Sequence, residues 1–369
     1  MKRLAIIGAS YLQLPLVKKA KEMGVYTLCF AWEEGAVCKG VADEFYPISI
    51  VEKERILQVC REKQIDGICT IASDVAAPTV AFVAEHLGLV GNSYEVALRS
   101  SNKYQMRNAF VMAGVPCPKY QVVTTTDEVH GELDSPLIVK PTDRSGSLGI
   151  TKVTRQEGLV PAVDNALGCS FKHEAILEEF IEGREISVEF ISYQGKHYPL
   201  QITDKVTTGA PHFVELEHHQ PADLNREQVH AIYELTERAL NALGVTNGAS
   251  HSEYKITADG KVVVMEIGAR MGGDFIGSDL VYLSTGYDYL KGVIDVALGR
   301  FEKPTFGTPH CSGVFFLCEE TRRLRDLIKK GDAPQIVRSE ITDHVLHRVK
   351  CSADRSGYMI YQGDKRLEL

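Results

Sequence analysis

The sequence contains little of what membrane anchors, disulfide frameworks and cysteine metal sites require. No stretch approaches the roughly 18 uninterrupted apolar residues of a membrane helix. The apolar run that ends at Gly8 is too short for the core of a signal peptide. The nine cysteines are scattered, odd in number and include no Cys-x-x-Cys pair. We therefore expect reduced thiols in a cytoplasmic protein, with neither a disulfide framework nor a cysteine zinc site.

A strong excess of one charge is also missing. The 41 Lys and Arg residues stand against 49 Asp and Glu, which gives a formal net charge of −8. A mildly acidic chain has no general electrostatic reason to bind nucleic acid or an anionic membrane, so we expect neither as a partner. The 369 residues, 44% hydrophobic and 24% charged, are typical of a globular protein with two or three domains.

Two common nucleotide-binding motifs are absent as well. The turn at Gly8 lacks the second and third glycines of a dinucleotide fingerprint. A second glycine-rich segment, residues 142–149, is not followed by the Gly-Lys-Ser/Thr of a Walker loop. Neither a nicotinamide dinucleotide nor a P-loop mode of binding is expected.

Three parts of the chain differ in pattern, and we take them as domains. In residues 1–98, apolar strands alternate with amphipathic helices, which predicts a Rossmann-like α/β domain with a parallel sheet. Residues 99–302 are α+β, with a lid at about 120–190 and strands joined by hairpin turns. Residues 303–369 form a small C-terminal subdomain, whose role in a cleft or a dimer interface stays open.

Several residues with phosphate or metal chemistry follow one another along the chain. Lys140 ends a strand, and the glycine-rich segment after it could approach an oligophosphate with its N–H groups, although a plain hairpin turn is the alternative. Glu253 and Glu266 lie near the ends of two consecutive strands. Two carboxylates side by side on a hairpin would repel each other without a cation, and carboxylates are ligands for Mg²⁺.

In this order, together with Lys103 before them and Arg270 after them, these residues resemble the ATP-grasp superfamily over roughly residues 1–300. The resemblance implies an α/β ATP-grasp fold, α+β in its centre, and the use of ATP and Mg²⁺, with Mn²⁺ as an alternative. It implies that Glu253 and Glu266 bind the metal. The residues that it assigns to ATP are Lys103, Lys140, Ser145, Gly146, Ser147, Gly149, Glu178, Glu179, Phe180, Ile181 and Glu185.

These ATP residues divide by the part of the nucleotide they would contact. By the resemblance, the two lysines contact the α and β phosphates and the 145–149 loop closes over the β and γ phosphates. Glu178 accepts from the adenine amino group, the backbone of residues 179–181 binds the adenine edge, and Glu185 holds the ribose. One departure concerns Gly268, which stands where many members have Asn; this removes a metal ligand and leaves one or two Mg²⁺ ions open.

A second segment, residues 203–221, resembles the L-amino-acid ligase branch through its Asp-Lys … Phe-Val-Glu-x-x-His-x-x-Pro pattern. This resemblance implies that Lys205 reaches the γ phosphate and the acyl phosphate. It implies that Glu215 and His218 line an amino-acid pocket. Arg270, with the backbone of Gly272 and Gly273, would hold the reacting carboxylate. Arginine suits a carboxylate, and glycine N–H groups suit developing oxyanion charge.

Three histidines in these segments admit plainer interpretations. His218 and His219 could both be surface residues of a polar loop, and the frame of the motif favours a pocket role for His218 alone. His251, two residues before Glu253, is either a neighbour that supports the metal site or a buried core histidine.

The whole pattern predicts an ATP-dependent carboxylate–amine ligase with small-molecule substrates, one of them an amino acid, and a homodimer is an open option. An enzyme that activates bicarbonate or formate, as in carbamoyl-phosphate synthesis or purine biosynthesis, is one alternative. A nucleotide-binding module without catalysis is the other.

Overall fold

The computed structural model describes residues 1–129, 136–144, 148–210, 212–330 and 334–369. Its first part is a four-stranded parallel sheet of order β3-β2-β1-β4. Its strands carry apolar side chains on both faces, because helices pack against each face of the sheet. The elements are β1 (Arg3–Ile7), α1 (Leu14–Glu22), β2 (Tyr26–Phe30), β3 (Glu44–Tyr46), α2 (Lys53–Glu62), β4 (Gly67–Cys69), α3 (Ala77–Leu87) and α4 (Tyr94–Ser101).

A small antiparallel sheet of order β5-β8-β6-β7 follows. One face is covered by a helix whose Val163 and Ala166 pack against Val139 and Leu177 of the strands. The elements are α5 (Lys103–Met112), β5 (Tyr120–Val123), β6 (Leu137–Pro141), β7 (Thr151–Val153), α6 (Leu159–Cys169) and β8 (Ala175–Glu179).

The largest sheet has eight strands in the order β13-β12-β9-β10-β11-β14-β16-β15. Strands from the last part of the chain join it through β11, where Glu217 lies opposite Phe315. The elements are β9 (Arg184–Tyr193), β10 (Lys196–Thr207), β11 (Glu215–Gln220), α7 (Arg226–Leu243), β12 (Gly248–Ile256), β13 (Val262–Gly268), α8 (Val281–Thr285), α9 (Tyr289–Ala297), β14 (Cys311–Leu317), α10 (Leu324–Lys330), β15 (Ile336–Ile341) and β16 (Gly357–Gly363).

Helix α7 shows how the sequence determines an element locally. Asn225 and Gln228 form a reciprocal capping box at its start, and Gly244 ends it in a left-handed conformation. Its apolar stripe, with Ile232 and Ala239 fully buried, packs on the large sheet. No helix among the described residues is long and apolar enough to cross a membrane.

The N-terminal sheet is joined to the end of β13. Ile71 forms a parallel bridge with Met271, and the Ala72 N–H donates to the Met271 carbonyl over 3.0 Å. Ala72 has a φ of +56°, so the chain turns sharply after β4. This turn brings the loop after β4 next to the segment that follows Glu266.

Candidate active site

Two carboxylates face each other at one edge of the large sheet, where β13 is the outermost strand. Glu253 on β12 and Glu266 on β13 are direct cross-strand partners. Each has its own ammonium group: Lys103 Nζ lies 3.1 Å from Glu266 Oε1, and Lys205 Nζ donates to Glu253 Oε1. The lysines offset a repulsion that would otherwise oppose this pairing.

The carboxylate pair suits a metal that is shared with phosphates. In the described part of the chain, no three His, Cys, Asp or Glu side chains come together as a complete metal site. Mg²⁺ is usually held by one or two carboxylates and substrate phosphates rather than by an all-protein cage. Glu253 and Glu266 fit that mode of binding, with Lys103 and Lys205 beside them.

A buried ionic triad lies beside this pair. The carboxylate of Glu178 on β8 is 2.6 Å from Lys140 Nζ and 2.7 Å from Arg107 Nε. Burial alone would raise the pKa of Glu178, but the two cations outweigh it and lower the pKa to about 2. Burial lowers the pKa of the Lys140 ammonium, which Glu178 partly offsets. Arg107 therefore holds Glu178 in place, and Glu178 in turn holds Lys140.

The segment expected to bind adenine, residues 179–181, begins at the last residue of β8. The N–H groups of Glu179 and Phe180 donate to the carbonyls of Lys119 and Pro136, each over 2.9 Å. Glu185, expected at the ribose, lies 2.9 Å from Lys255. Two of the three backbone N–H groups in the expected adenine segment therefore already have partners.

The glycine-rich loop is described only in part. Ser145, Gly146 and Ser147 lie outside the described residues. Gly149 lies two residues before β7, which pairs with β6 as a hairpin. The loop therefore starts from the strand that carries Lys140, as the sequence predicts.

Arg270 is held by a residue of the N-terminal sheet. Its Nε and Nη2 donate to the two oxygens of Asp74 over 2.8 and 2.7 Å. Gly268 makes room for this pair, because a Cβ there would lie 2.6 Å from Asp74 Oδ1. The departure from Asn at this position thus coincides with an aspartate that occupies the neighbouring space.

Gly272 and His251 share a buried partner. The Gly272 N–H donates to Glu189 Oε2 over 3.3 Å, and Glu189 Oε1 also contacts His251 Nδ1. His251 Nε2 lies 3.4 Å from Glu253 Oε1. His251 therefore supports the expected metal ligand, and the Gly272 N–H points to Glu189. Gly273 lies beside Ala72 of the N-terminal part.

The expected amino-acid pocket lies next to Lys205. Lys205 Nζ is 3.6 Å from Glu215 Oε1. The carboxylates of Glu253 and Glu215 raise the pKa of Lys205, and their effect outweighs that of burial, which lowers it. His218 is buried, with Nε2 3.7 Å from Asp274 Oδ2. Burial lowers the pKa of His218, so the ring is neutral near pH 7.

The surface interpretation of His219 is wrong. Its side chain is buried, and its ring nitrogens contact Tyr361 Oη and Glu217 Oε2, each over 2.8 Å. The alternation along β11 turns His218 and His219 to opposite faces of the sheet, where their rings pack against Phe316 and Phe315 of β14, respectively.

Sequence reasoning missed five residues of this site: Asp74, Arg107, Glu189, Asp274 and Arg355. Arg107 follows Lys103 by one helical turn, so the helical spacing could have found it. Glu189 follows Glu185 by four residues on one strand, which places both on the same face. Asp74 and Arg355 carry no local signal, because their partners lie far along the chain.

Comparison with known proteins finds similarity to ATP-grasp proteins in sequence and in fold. Residues 133–279 match the family model of the ATP-grasp domain. Alanine–anticapsin ligase of Bacillus subtilis strain 168 is 31% identical over 245 residues, 60% of this chain and 51% of that protein. The chain thus spans about half the length of this curated relative.

Two solved structures share the fold over nearly the whole chain. An L-amino acid ligase from Bacillus licheniformis has a TM-score of 0.81 at 23% identity, covering 99% of this chain and 94% of that one. A phosphoribosylglycinamide synthetase from Anaerococcus prevotii has a TM-score of 0.78 at 22% identity, with the same coverage. The expected ATP-grasp fold is confirmed; the domain boundaries and site roles stay predictions.

Proposed function

We propose, on the premise that this chain has the ATP-grasp fold, that it is an ATP-dependent carboxylate–amine ligase with an amino acid among its substrates. One observation carries the proposal. The Lys205 ammonium contacts Glu253, a residue of the expected metal pair, and lies 3.6 Å from Glu215, a residue of the expected amino-acid pocket. The Lys205 ammonium therefore lies between the expected phosphate-binding site and the expected amino-acid pocket.

The reaction follows from these parts. A substrate carboxylate oxygen attacks the γ phosphorus of ATP, the bond to the β–γ bridging oxygen breaks, and ADP leaves. An amine then attacks the acyl carbon, phosphate leaves, and the amine nitrogen loses a proton to form the amide. Phosphoryl transfer needs mainly positioning and charge neutralisation, which Lys103, Lys140 and Lys205 can supply.

The remaining roles are assigned from the geometry. Mg²⁺ at Glu253 and Glu266 would supply charge neutralisation for the phosphates. Because the N–H groups of Glu179 and Phe180 have partners, we assign the adenine edge to the N–H of Ile181. Asp74 binds Arg270 through Nε and Nη2, and Nη1 donates to the Met271 carbonyl over 3.4 Å. Since Nη1 has two hydrogens, we assign its second N–H to the carboxylate or acyl phosphate.

The first experiment measures ADP and phosphate from Mg·ATP with amino acids, singly and in pairs. Release that requires amino acids, together with a new amide product by mass spectrometry, supports the ligase. Hydroxylamine in place of the amine should yield a hydroxamate if an acyl phosphate forms. ADP formation without any hydroxamate would count against that intermediate.

Glu266→Ala should lower turnover by about 10²- to 10³-fold or more, because it removes a carboxylate expected to hold the Mg²⁺ that neutralises charge on the transferring phosphate. Glu227→Ala is the matched control, since Glu227 is an exposed carboxylate at the start of α7. Full turnover by the Glu266 variant would refute the metal assignment.

A second candidate is an enzyme that activates bicarbonate or formate. A biotin carboxylase domain from Hydrogenobacter thermophilus, solved with bicarbonate, shares the fold with a TM-score of 0.77 at 20% identity. The fold alone does not determine which acid is activated, so this candidate is tested beside the first. Wells with bicarbonate or formate alone test it directly. Release there, and none with amino acids, would select this candidate over the ligase.

A further inference from the structure

A buried arginine from the last part of the chain reaches the expected amino-acid pocket. The Arg355 side chain is 8% exposed, and its Nη2 donates to Glu215 Oε2 over 3.1 Å. Its Nη1 donates to Asp274 Oδ2 over 2.9 Å. One guanidinium thus joins the two segments that carry the pocket, β11 and the residues after Gly273.

The surroundings fix this arginine in place. Its guanidinium carbon stacks 3.8 Å from the centre of the Phe316 ring on β14. The ring of His218 packs edge-on against the same phenylalanine, with 5.7 Å between ring centres. A planar group held between an aromatic face and two carboxylates has one orientation, so Arg355 is a built part of the pocket wall.

The charges of this wall do not cancel. Glu215 and Asp274 contribute two negative charges, and Arg355 contributes one positive charge. His218 is neutral, and the charge of Lys205 is matched by Glu253, its hydrogen-bonded partner. The pocket therefore carries one excess negative charge beside buried groups that water screens poorly.

We infer that Arg355 is a specificity-determining residue that sets this excess at one negative charge. The pocket then selects amino acids whose portion inside it has a single positive charge, the α-ammonium group beside a neutral side chain. A basic side chain would bring a second positive charge with no partner, and an acidic one would be repelled. This inference rests on the proposed function, because it assigns the pocket to an amino acid.

The test changes the charge of the pocket in both directions. Arg355→Gln raises the excess in the pocket to two negative charges, and Asp274→Asn lowers it to zero. The double variant has one excess negative charge, as the wild type has. Titration calorimetry without nucleotide, the state in which Lys205 pairs with Glu253, measures the dissociation constants of L-alanine, L-lysine and L-glutamate. We expect the affinity for lysine relative to alanine to rise at least tenfold in Arg355→Gln. It should fall in Asp274→Asn and return to within threefold of wild type in the double variant.

Two controls separate charge from packing. Arg355→Lys keeps the charge and should keep the wild-type ratio even if its melting temperature falls. Arg348→Gln makes the same charge change at an exposed arginine outside the pocket and should change nothing. If Arg355→Gln does not fold, the ratios of Asp274→Asn and Arg355→Lys decide the question.

The outcomes distinguish this inference from the ligase proposal. A lysine-to-alanine ratio that is equal in all variants would overturn the inference, even with full ligase activity. Ratios that follow the charge without any phosphate release would support the inference and refute the ligase. Wild-type protein that binds none of the three amino acids would overturn both.

Discussion

At the scale of single residues, missing atoms matter as much as present ones. Gly268 has no side chain, and a carboxylate oxygen of Asp74 lies only 2.6 Å from where a Cβ would stand. The sequence shows the glycine and the arginine two residues later, but Asp74 is 196 positions away from Arg270. Sequence reasoning therefore finds the departure at Gly268 and cannot find its cause, which is a contact between distant parts of the chain.

Gly268→Ala should destabilise the protein by about 1–3 kcal/mol, because the new methyl group overpacks the Asp74–Arg270 pair. Urea unfolding measures the loss. With Asp74→Ala as background the loss should shrink, giving a coupling of about 0.5 kcal/mol or more. Gly40→Ala is the control, since a Cβ at Gly40 meets nothing within 4 Å. Equal losses in both backgrounds would mean that Asp74 is not what the glycine accommodates.

At the scale of elements, regular segments were predicted closely. The spacing of apolar residues predicts a helix at 226–243, and this helix coincides with α7. The sequence also predicts strands at 248–256 and 261–267, which differ from β12 and β13 by one residue at most at either end. Apolar periodicity carries this information locally. The apolar residues at 67–72 likewise predict a strand. That strand ends at Cys69, because the chain then turns toward Met271 with Ala72 in a left-handed conformation.

The triad of Arg107, Lys140 and Glu178 connects helix α5 with strands β6 and β8, and it makes stability depend on pH. The pKa of Glu178 is lowered to about 2, so its contribution is present above the ordinary carboxyl pKa. It is lost as the pH falls from about 4.5 through 2.

Glu178→Gln should therefore be less stable than wild type at pH 7, because two buried cations lose their partner. The difference should narrow between pH 4.5 and 3, measured by urea unfolding at each pH. Glu227→Gln serves as the exposed control. A difference that stays constant over this range would show that Glu178 acts through packing and not through its charge.

At the scale of the whole molecule, the site draws on every part of the chain. Asp74 comes from the N-terminal part, Lys140 from the small sheet, Glu253 and Glu266 from the large one, and Arg355 from the last part. The resemblance to a known family identifies Lys140, Glu253 and Glu266 as site residues, because their order along the chain forms a motif. The contributions of the first and last parts depend on tertiary contacts, for which one sequence carries no pattern.

Binding of Mg·ATP should stabilise this assembly as a unit. At a nucleotide concentration about 100 times the dissociation constant, linkage predicts about 2.7 kcal/mol. For a chain of this size that corresponds to a rise of about 3 °C in melting temperature. ATP with a chelator should raise the melting temperature less than Mg·ATP does. In Glu266→Gln, the part of the rise that depends on Mg²⁺ should be lost. The same rise with and without Mg²⁺ would contradict a metal at the carboxylate pair.

The pairing of β11 with β14 has a consequence for synthesis of the protein. A nascent chain that has reached residue 300 has made β11, whose outer edge then lacks a partner. Unpaired strand edges are prone to wrong association, so the ribosome exposes a vulnerable intermediate until β14 follows. The amino-acid pocket is finished later still, when Arg355 emerges. A chain cut short before that point would carry the nucleotide residues without the arginine of the pocket wall, and a premature stop would thus separate nucleotide binding from amino-acid selection.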